Sequence, residues 1–181
     1  VDLSAFYFDI RKDALYCDSK DSERRKSCII VLNIILESLT KWFAPILSFT
    51  TEEIFTLINK DKKSIHLEKF IKFPKSFENE KLNKKWLELK KIRDICNVSI
   101  EAKRASKEIG SSLEANLIIN LNKNLYEISN NIDFAELCIT SSAVVEKSNS
   151  ENIIAETVKA EGNKCPVCWK INKEKCERHP Y

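Results

Sequence analysis

Apolar side chains recur at helical spacing through most of the first 108 residues. Phe6, Ile10, Ala14 and Leu15 predict a helix over about 3–17. Asp18, Ser19, Lys20, Asp21 and Ser22 break that pattern and supply N-cap candidates for a second helix over Glu23–Phe43. There Leu32, Ile35, Leu36, Leu39, Trp42 and Phe43 recur in steps of three and four, and Ile29, Ile30, Val31 and Ile34 widen the stripe. So broad an apolar face predicts the central, most buried helix. Pro45 interrupts the run. Thr50 followed by Glu53 reads as a capping box that opens a short helix to about Leu57. A turn is expected at 59–63, and an irregular connection containing Pro74 at 64–79. The longest helix is expected over 80–108, with Leu82, Trp86, Leu89, Ile92, Cys96 and Ile100 on one face and lysines on the other. Gly110 stands where its C-terminal cap belongs.

The pattern changes after Gly110. Ala115–Leu121 reads as a strand, 125–137 as a short helix, and 138–146 and 153–160 as β-branched strands. The fold class is therefore mainly α: a helical bundle, then a small α/β unit, then a cysteine-rich tail. The corresponding domains are 1–110, 111–160 and 161–181. No internal repeat is visible at periods of 20–50 residues.

Composition narrows the functional classes. The chain has 181 residues, 43% of them hydrophobic, enough for one or two small cored domains. No run reaches the ~18 apolar residues of a membrane span, so no membrane partner is expected. With charges at Asp2, Asp9, Arg11, Lys12 and Asp13, no secretory signal is expected in the opening residues. With Val first and no Met, the chain is expected to begin inside a longer polypeptide. Only Gly110 and Gly162 occur, too few for a phosphate-cradling loop, which excludes a nucleotide-binding catalytic domain within these residues. Seven cysteines, an odd number, suit a reducing, cytoplasmic setting rather than a disulfide scaffold. The net charge is +3, but 60–104 carries 14 Lys plus Arg against 7 Asp plus Glu. Such an excess serves a phosphate backbone or forms a solvated face.

The tail carries the chemistry. Cys165, Cys168, Cys176 and His179 follow the spacing C-x2-C-x7-C-x2-H. Two such pairs provide the four tetrahedral ligands that Zn²⁺ takes, with no open position for water, which points to one structural ion rather than a catalytic one. The other reading is a redox C-x-x-C pair beside an unrelated Cys176 and His179. Lys164, Lys170, Lys173, Lys175 and Arg178 surround the pairs, with Trp169 among them. An indole stacks on a base while lysines neutralise phosphate; the same indole can instead cover the knuckle. His66 stands alone, and Ser111 and Ser112 have no visible catalytic partner.

The opening DLSAFYFDIRKDALYCDSKDSERRKSCIIVL, then LTKWFAPILSFTTEEIF, SIHLEKF, EAKRASKEIGSSLEA and CPVCW, together resemble the C-terminal region of isoleucyl-tRNA synthetase over essentially the whole chain. The resemblance implies a class I helical anticodon-binding domain, a small connecting domain and a zinc-binding end. It implies that Cys165, Cys168 and Cys176 are zinc ligands and that Trp169 faces the anticodon of tRNA(Ile). Arg104 and Lys107 fall in the family's motif, and Arg11 and Lys12 are weaker RNA candidates. Two features depart from the family. The spacer before the last ligand is short, and His179 replaces a second Cys of that pair. The nucleotide-binding motifs HIGH and KMSKS, and any editing domain, are absent. ATP and Mg²⁺ would thus belong to a catalytic domain elsewhere in the same polypeptide, and this piece alone is expected to be inactive. The alternative is a zinc-stapled helical module that binds protein.

Overall fold

The computed structural model describes residues 2–61 and 63–179, mainly helical with a small sheet. They fall into two units: Asp18–Glu78, and the stretch up to Cys17 together with everything from Asn79 on.

In the first unit, helix α2 spans Glu23–Phe43 as expected. Ser22 caps it, its hydroxyl accepting the Arg25 N–H at 3.4 Å. The Asp18 carboxylate takes the Arg24 guanidinium at 2.7 and 2.9 Å. Burial of α2 is not as expected. Only Cys28, Ser38 and Thr40 are buried, while Ile30, Trp42 and Phe43 are exposed. One neighbouring helix covers only one stripe of a cylinder, and α2 packs within this unit on α3, Ser48–Ile58. The unit's buried apolar cluster is correspondingly small: Ala44, Phe55 and Ile65.

The capping box does not form. Helix α3 begins at Ser48, so Thr50 lies inside it. Thr51 directs its hydroxyl back to the Leu47 carbonyl at 2.9 Å. Glu52, rather than Glu53, is the structural carboxylate, accepting from both the Ser64 hydroxyl and the Ile65 N–H at 2.9 Å. The expected turn at 59–63 includes Lys62, which lies outside the described residues. The connection that follows holds short 3-10 turns at Ile65–Leu67 and Lys75–Phe77.

The second unit contains the main core. A wide, π-type helical stretch, Asp2–Phe8, leads into α1, Asp9–Cys17. Helix α4, Glu80–Ala105, is capped by Asn79, whose side-chain oxygen accepts the Leu82 N–H at 2.9 Å. It buries Leu89, Ile92, Cys96 and Ile100, and it, not α2, is the most buried long helix. Strand β1, Ala115–Leu121, alternates buried and half-buried, so Leu117, Ile119 and Leu121 face the same core. It is the central strand of the order β2-β1-β3, parallel to β2, Ser142–Lys147, and antiparallel to β3, Ile154–Lys159. A Ser99–Thr157 hydroxyl contact at 2.7 Å ties α4 to β3. Packing thus cuts the chain differently from the segments 1–110, 111–160 and 161–181: the first is shared between both units, and α4 and the sheet share one core.

Four non-glycine residues among those described have positive φ: Lys107, Asn131, Ile139 and Trp169. Helix α4 ends three residues early. Ser106 is its C-cap, and Lys107 takes φ 61°. The Lys107 N–H donates to Arg104 O at 3.0 Å and the Glu108 N–H to Lys103 O at 3.1 Å, the paired bonds of a Schellman ending. Gly110 is not the cap; its N–H goes to the Glu114 carboxylate at 2.8 Å. The expected helix 125–137 is two pieces, α5 Lys123–Ser129 and α6 Phe134–Leu137, the second capped by Asp133. Ile139 at φ 56° closes α6 with the same pair of bonds: its N–H to Glu136 O at 3.2 Å, and the Thr140 N–H to Ala135 O at 2.9 Å. That closure uses residues 138–141, so β2 starts only at Ser142. Asn131, at φ 64°, and Trp169, at φ 63°, are the other two such positions.

Candidate metal centre and nucleic-acid interface

The tail folds around a two-stranded ribbon, β4 Asn163–Lys164 and β5 Ile171–Asn172. Gly162 enters it at φ 129°, where an added Cβ would lie 2.2 Å from the Asn172 carbonyl oxygen, so no other residue fits. The Cys165 N–H donates to Lys170 O at 2.9 Å and the Trp169 N–H to Cys165 O at 3.0 Å. These bonds curl the Cys165–Cys168 turn so that both sulfurs face inward, each residue buried. A second turn, with the His179 N–H on Cys176 O at 3.1 Å, brings up the other pair.

The four donor atoms of Cys165, Cys168, Cys176 and His179 lie within 4.8 Å of one another. Zn–S bonds of ~2.3 Å and Zn–N bonds of ~2.0–2.1 Å at tetrahedral angles require S···S edges of about 3.8 Å and S···N edges of about 3.6 Å. The Cys168–Cys176 sulfurs are 3.8 Å apart, and His179 Nδ1 lies 3.5 Å from Cys165 Sγ and 3.4 Å from Cys176 Sγ. Three of the six donor–donor edges therefore have zinc-cage lengths, and the others lie within 4.8 Å, so the donor set is compatible with one zinc ion.

His179 is oriented from outside the tail. Its Nε2 sits 2.7 Å from the backbone oxygen of Cys17, at the end of α1. A carbonyl only accepts, so Nε2 carries the hydrogen and the Nδ1 lone pair faces the sulfurs, the arrangement metal-binding imidazoles need. The Cys17 thiol faces Val167 O at 3.6 Å, and Arg178 pairs with Asp13 at 2.8 Å. The sequence reading missed Cys17, because the contribution is a backbone carbonyl 162 residues away.

The thiols differ electrostatically. Burial raises Cys165, but the N–H groups of Cys168 and Val167 outweigh it and hold the thiol down at about 6. Burial pushes Cys168 up to about 12. His179 is raised, first by the Cys17 carbonyl.

The candidate RNA-contacting residues sit in different environments. Trp169 is 59% exposed. Lys164 Nζ lies over its ring at 5.5 Å. Lys170 is half-buried and has no ion-pair partner among the described residues. Arg178 is engaged by Asp13. Arg11 bonds Glu136 at 2.7 Å and joins α1 to α6. Lys12 holds Asp9 at 2.8 Å and Arg104 holds Glu101 at 2.6 Å, both on the surface. Lys107 is exposed beside Arg104 at the Schellman turn.

A family described as the anticodon-binding domain of tRNA ligase matches residues 1–119, most of the chain. The chain belongs to this anticodon-binding family. Among curated proteins it is similar to an isoleucine–tRNA ligase of Pelagibacter ubique, 80% identical over 99% of the chain. Isoleucine–tRNA ligases of Agrobacterium fabrum and Bartonella henselae are 37% and 39% identical over 96% of it. The matches cover 20%, 19% and 19% of those proteins, so the chain spans about one fifth of their length. No helix among the described residues is long and apolar enough to cross a membrane.

Proposed function

We propose that this chain is the tRNA-recognising part of an isoleucine–tRNA ligase, a class I aminoacyl-tRNA synthetase that activates isoleucine with ATP and attaches it to tRNA(Ile) in the cytoplasm. The observation that carries the reading is the anticodon-binding match over residues 1–119, in a chain whose tail presents an exposed indole among cations. Activation, with ATP and Mg²⁺, belongs to the catalytic domain of the same polypeptide, and these residues alone make no adenylate. In functional terms 1–110 is the anticodon-binding domain, 111–160 the connecting domain and 161–181 the zinc-binding end.

One structural Zn²⁺ is held by Cys165, Cys168, Cys176 and His179. Its charge keeps the thiolates ionised and fixes both turns of the tail. With the turns fixed, Trp169 offers a stacking face for an unpaired anticodon base and Lys170 neutralises phosphate. Arg104, Lys107 and Lys12 add exposed positive charge. Arg178 and Arg11 act mainly by fastening the tail and α6 to α1, through Asp13 and Glu136.

The test combines metal content with RNA binding. The purified chain should hold one zinc that the Cys176→Ser variant loses, and an isoleucine anticodon stem-loop should bind the zinc-loaded chain more tightly than the stripped one. Zinc-free protein under reducing conditions, or RNA binding indifferent to zinc, refutes this account of the site.

A further inference from the structure

The face of α1 that holds the tail also borders a hollow of about 550 Å³, within the size range of small-ligand sites. Its walls carry two aromatic rings, Trp169 from the tail and Tyr16 from the last turn of α1. Tyr16 is 80% exposed, more than any other aromatic residue among the described residues of this unit. Leu113, Ile139 and Val167 add apolar lining. Lys12 and Lys170 also line it, Lys12 held by Asp9 at 2.8 Å. The acids nearby are already engaged, Asp9 by Lys12, Asp13 by Arg178 and Glu136 by Arg11.

Two of the strained backbone positions line this one hollow. Ile139 and Trp169 both have positive φ, which costs an L-residue stability and is rarest for β-branched and bulky side chains. Neither is repaid by full burial: Ile139 is half-buried and Trp169 exposed. Backbone hydrogen bonds hold both turns, Ile139 N–H to Glu136 O at 3.2 Å and Trp169 N–H to Cys165 O at 3.0 Å, so the two side chains are fixed in the lining.

We propose that this hollow is a subsite for one unstacked base of the bound RNA, with Tyr16 as a second stacking platform facing the hollow and Lys170 taking an adjacent phosphate. The proposal rests on the anticodon-binding reading above and adds a residue and a place to it. An apolar lining with two aromatic rings suits a planar heteroaromatic ring, and a lysine beside it suits the phosphate that accompanies it. The cage connects with the subsite directly, since Val167, Cys168 and Trp169 belong to both the metal-binding turn and the wall.

The test measures affinity of the zinc-loaded chain for the isoleucine anticodon stem-loop and for stem-loops made abasic at one loop position at a time. Tyr16→Ala should weaken the intact stem-loop about 5- to 140-fold, the range of losing one base–aromatic stack. Tyr16→Phe should restore it. Against the stem-loop lacking the base that occupies the hollow, Tyr16→Ala should have no further effect, because that contact is already gone. Zinc content should be unchanged in both variants. If Tyr16→Ala binds like the parent while Trp169→Ala binds more weakly, the subsite is refuted and the anticodon reading stands; the hollow would then suit an apolar peptide side chain. If the parent chain does not distinguish the isoleucine stem-loop from other RNA, the reading and the subsite fall together.

Discussion

The ending of α4 yields a prediction in which two neighbouring positions give opposite answers. Lys107, not Gly110, occupies the left-handed position after the helix. A residue with a Cβ costs roughly 1–2 kcal/mol there. Glycine removes that cost and returns part of it as unfolded-state entropy, roughly 0.5–1 kcal/mol. Lys107→Gly should therefore stabilise the chain by up to about 1 kcal/mol relative to Lys107→Ala. That comparison cancels the loss of a cation near the helix C-terminus, worth about 0.3–1 kcal/mol in each variant. For a chain of this size the gain raises Tm by about 2–4 °C. Gly110→Ala should be nearly neutral. Gly110 has no positive φ, and its added Cβ meets nothing closer than the Glu114 carboxylate at 3.5 Å. Thermal unfolding of the zinc-loaded variants, followed by helical circular dichroism, measures all three. Lower stability in Lys107→Gly than in Lys107→Ala, or a loss above about 1 kcal/mol in Gly110→Ala, would place the cap at Gly110 and refute the assignment.

The remaining predictions concern the same networks. Glu52→Ala should cost about 1–3 kcal/mol in urea unfolding, because the Ser64 hydroxyl and Ile65 N–H lose their shared acceptor; an unchanged midpoint would show that water replaces it. Gly162→Ala should displace β4 from β5 and lower zinc affinity at least tenfold; retained stoichiometric zinc would show that the ribbon adapts. Zinc binding should weaken at least about tenfold per unit fall in pH near neutrality, because Cys168, pushed up to about 12, must give up its proton to bind. Below about pH 6 the dependence should steepen as Cys165 also holds a proton, and a pH-independent affinity would show that neither thiol is a ligand.

Features encoded locally were legible in the sequence. Helix α2 and strand β1 have the predicted limits because strong periodicity and the Ser22 cap mark them within a few residues. The four donors were picked out by spacing, and the fold brings them together. Burial was not legible: the apolar stripe of α2 says it can be covered, not how much of it is covered within its unit. The turns at Lys107, Ile139 and Trp169 were missed because residues with a Cβ carry no composition signal for positive φ. Glu52 was passed over for Glu53 because its partners are set by the loop folding back, not by helix spacing. Tyr16 and the Cys17 carbonyl gained their places only when α1 met a tail some 150 residues later in the chain.

The central claim is recognition of an anticodon, and the most direct measurement is competition between isoleucine and valine anticodon stem-loops for the zinc-loaded chain at two salt concentrations. The account predicts tighter binding of the isoleucine stem-loop at both. It also predicts that affinity falls with rising salt as lysine–phosphate contacts are screened, with log K declining by about 0.7 per contact for each tenfold rise. Equal affinity for the two stem-loops, with no salt dependence, would contradict it.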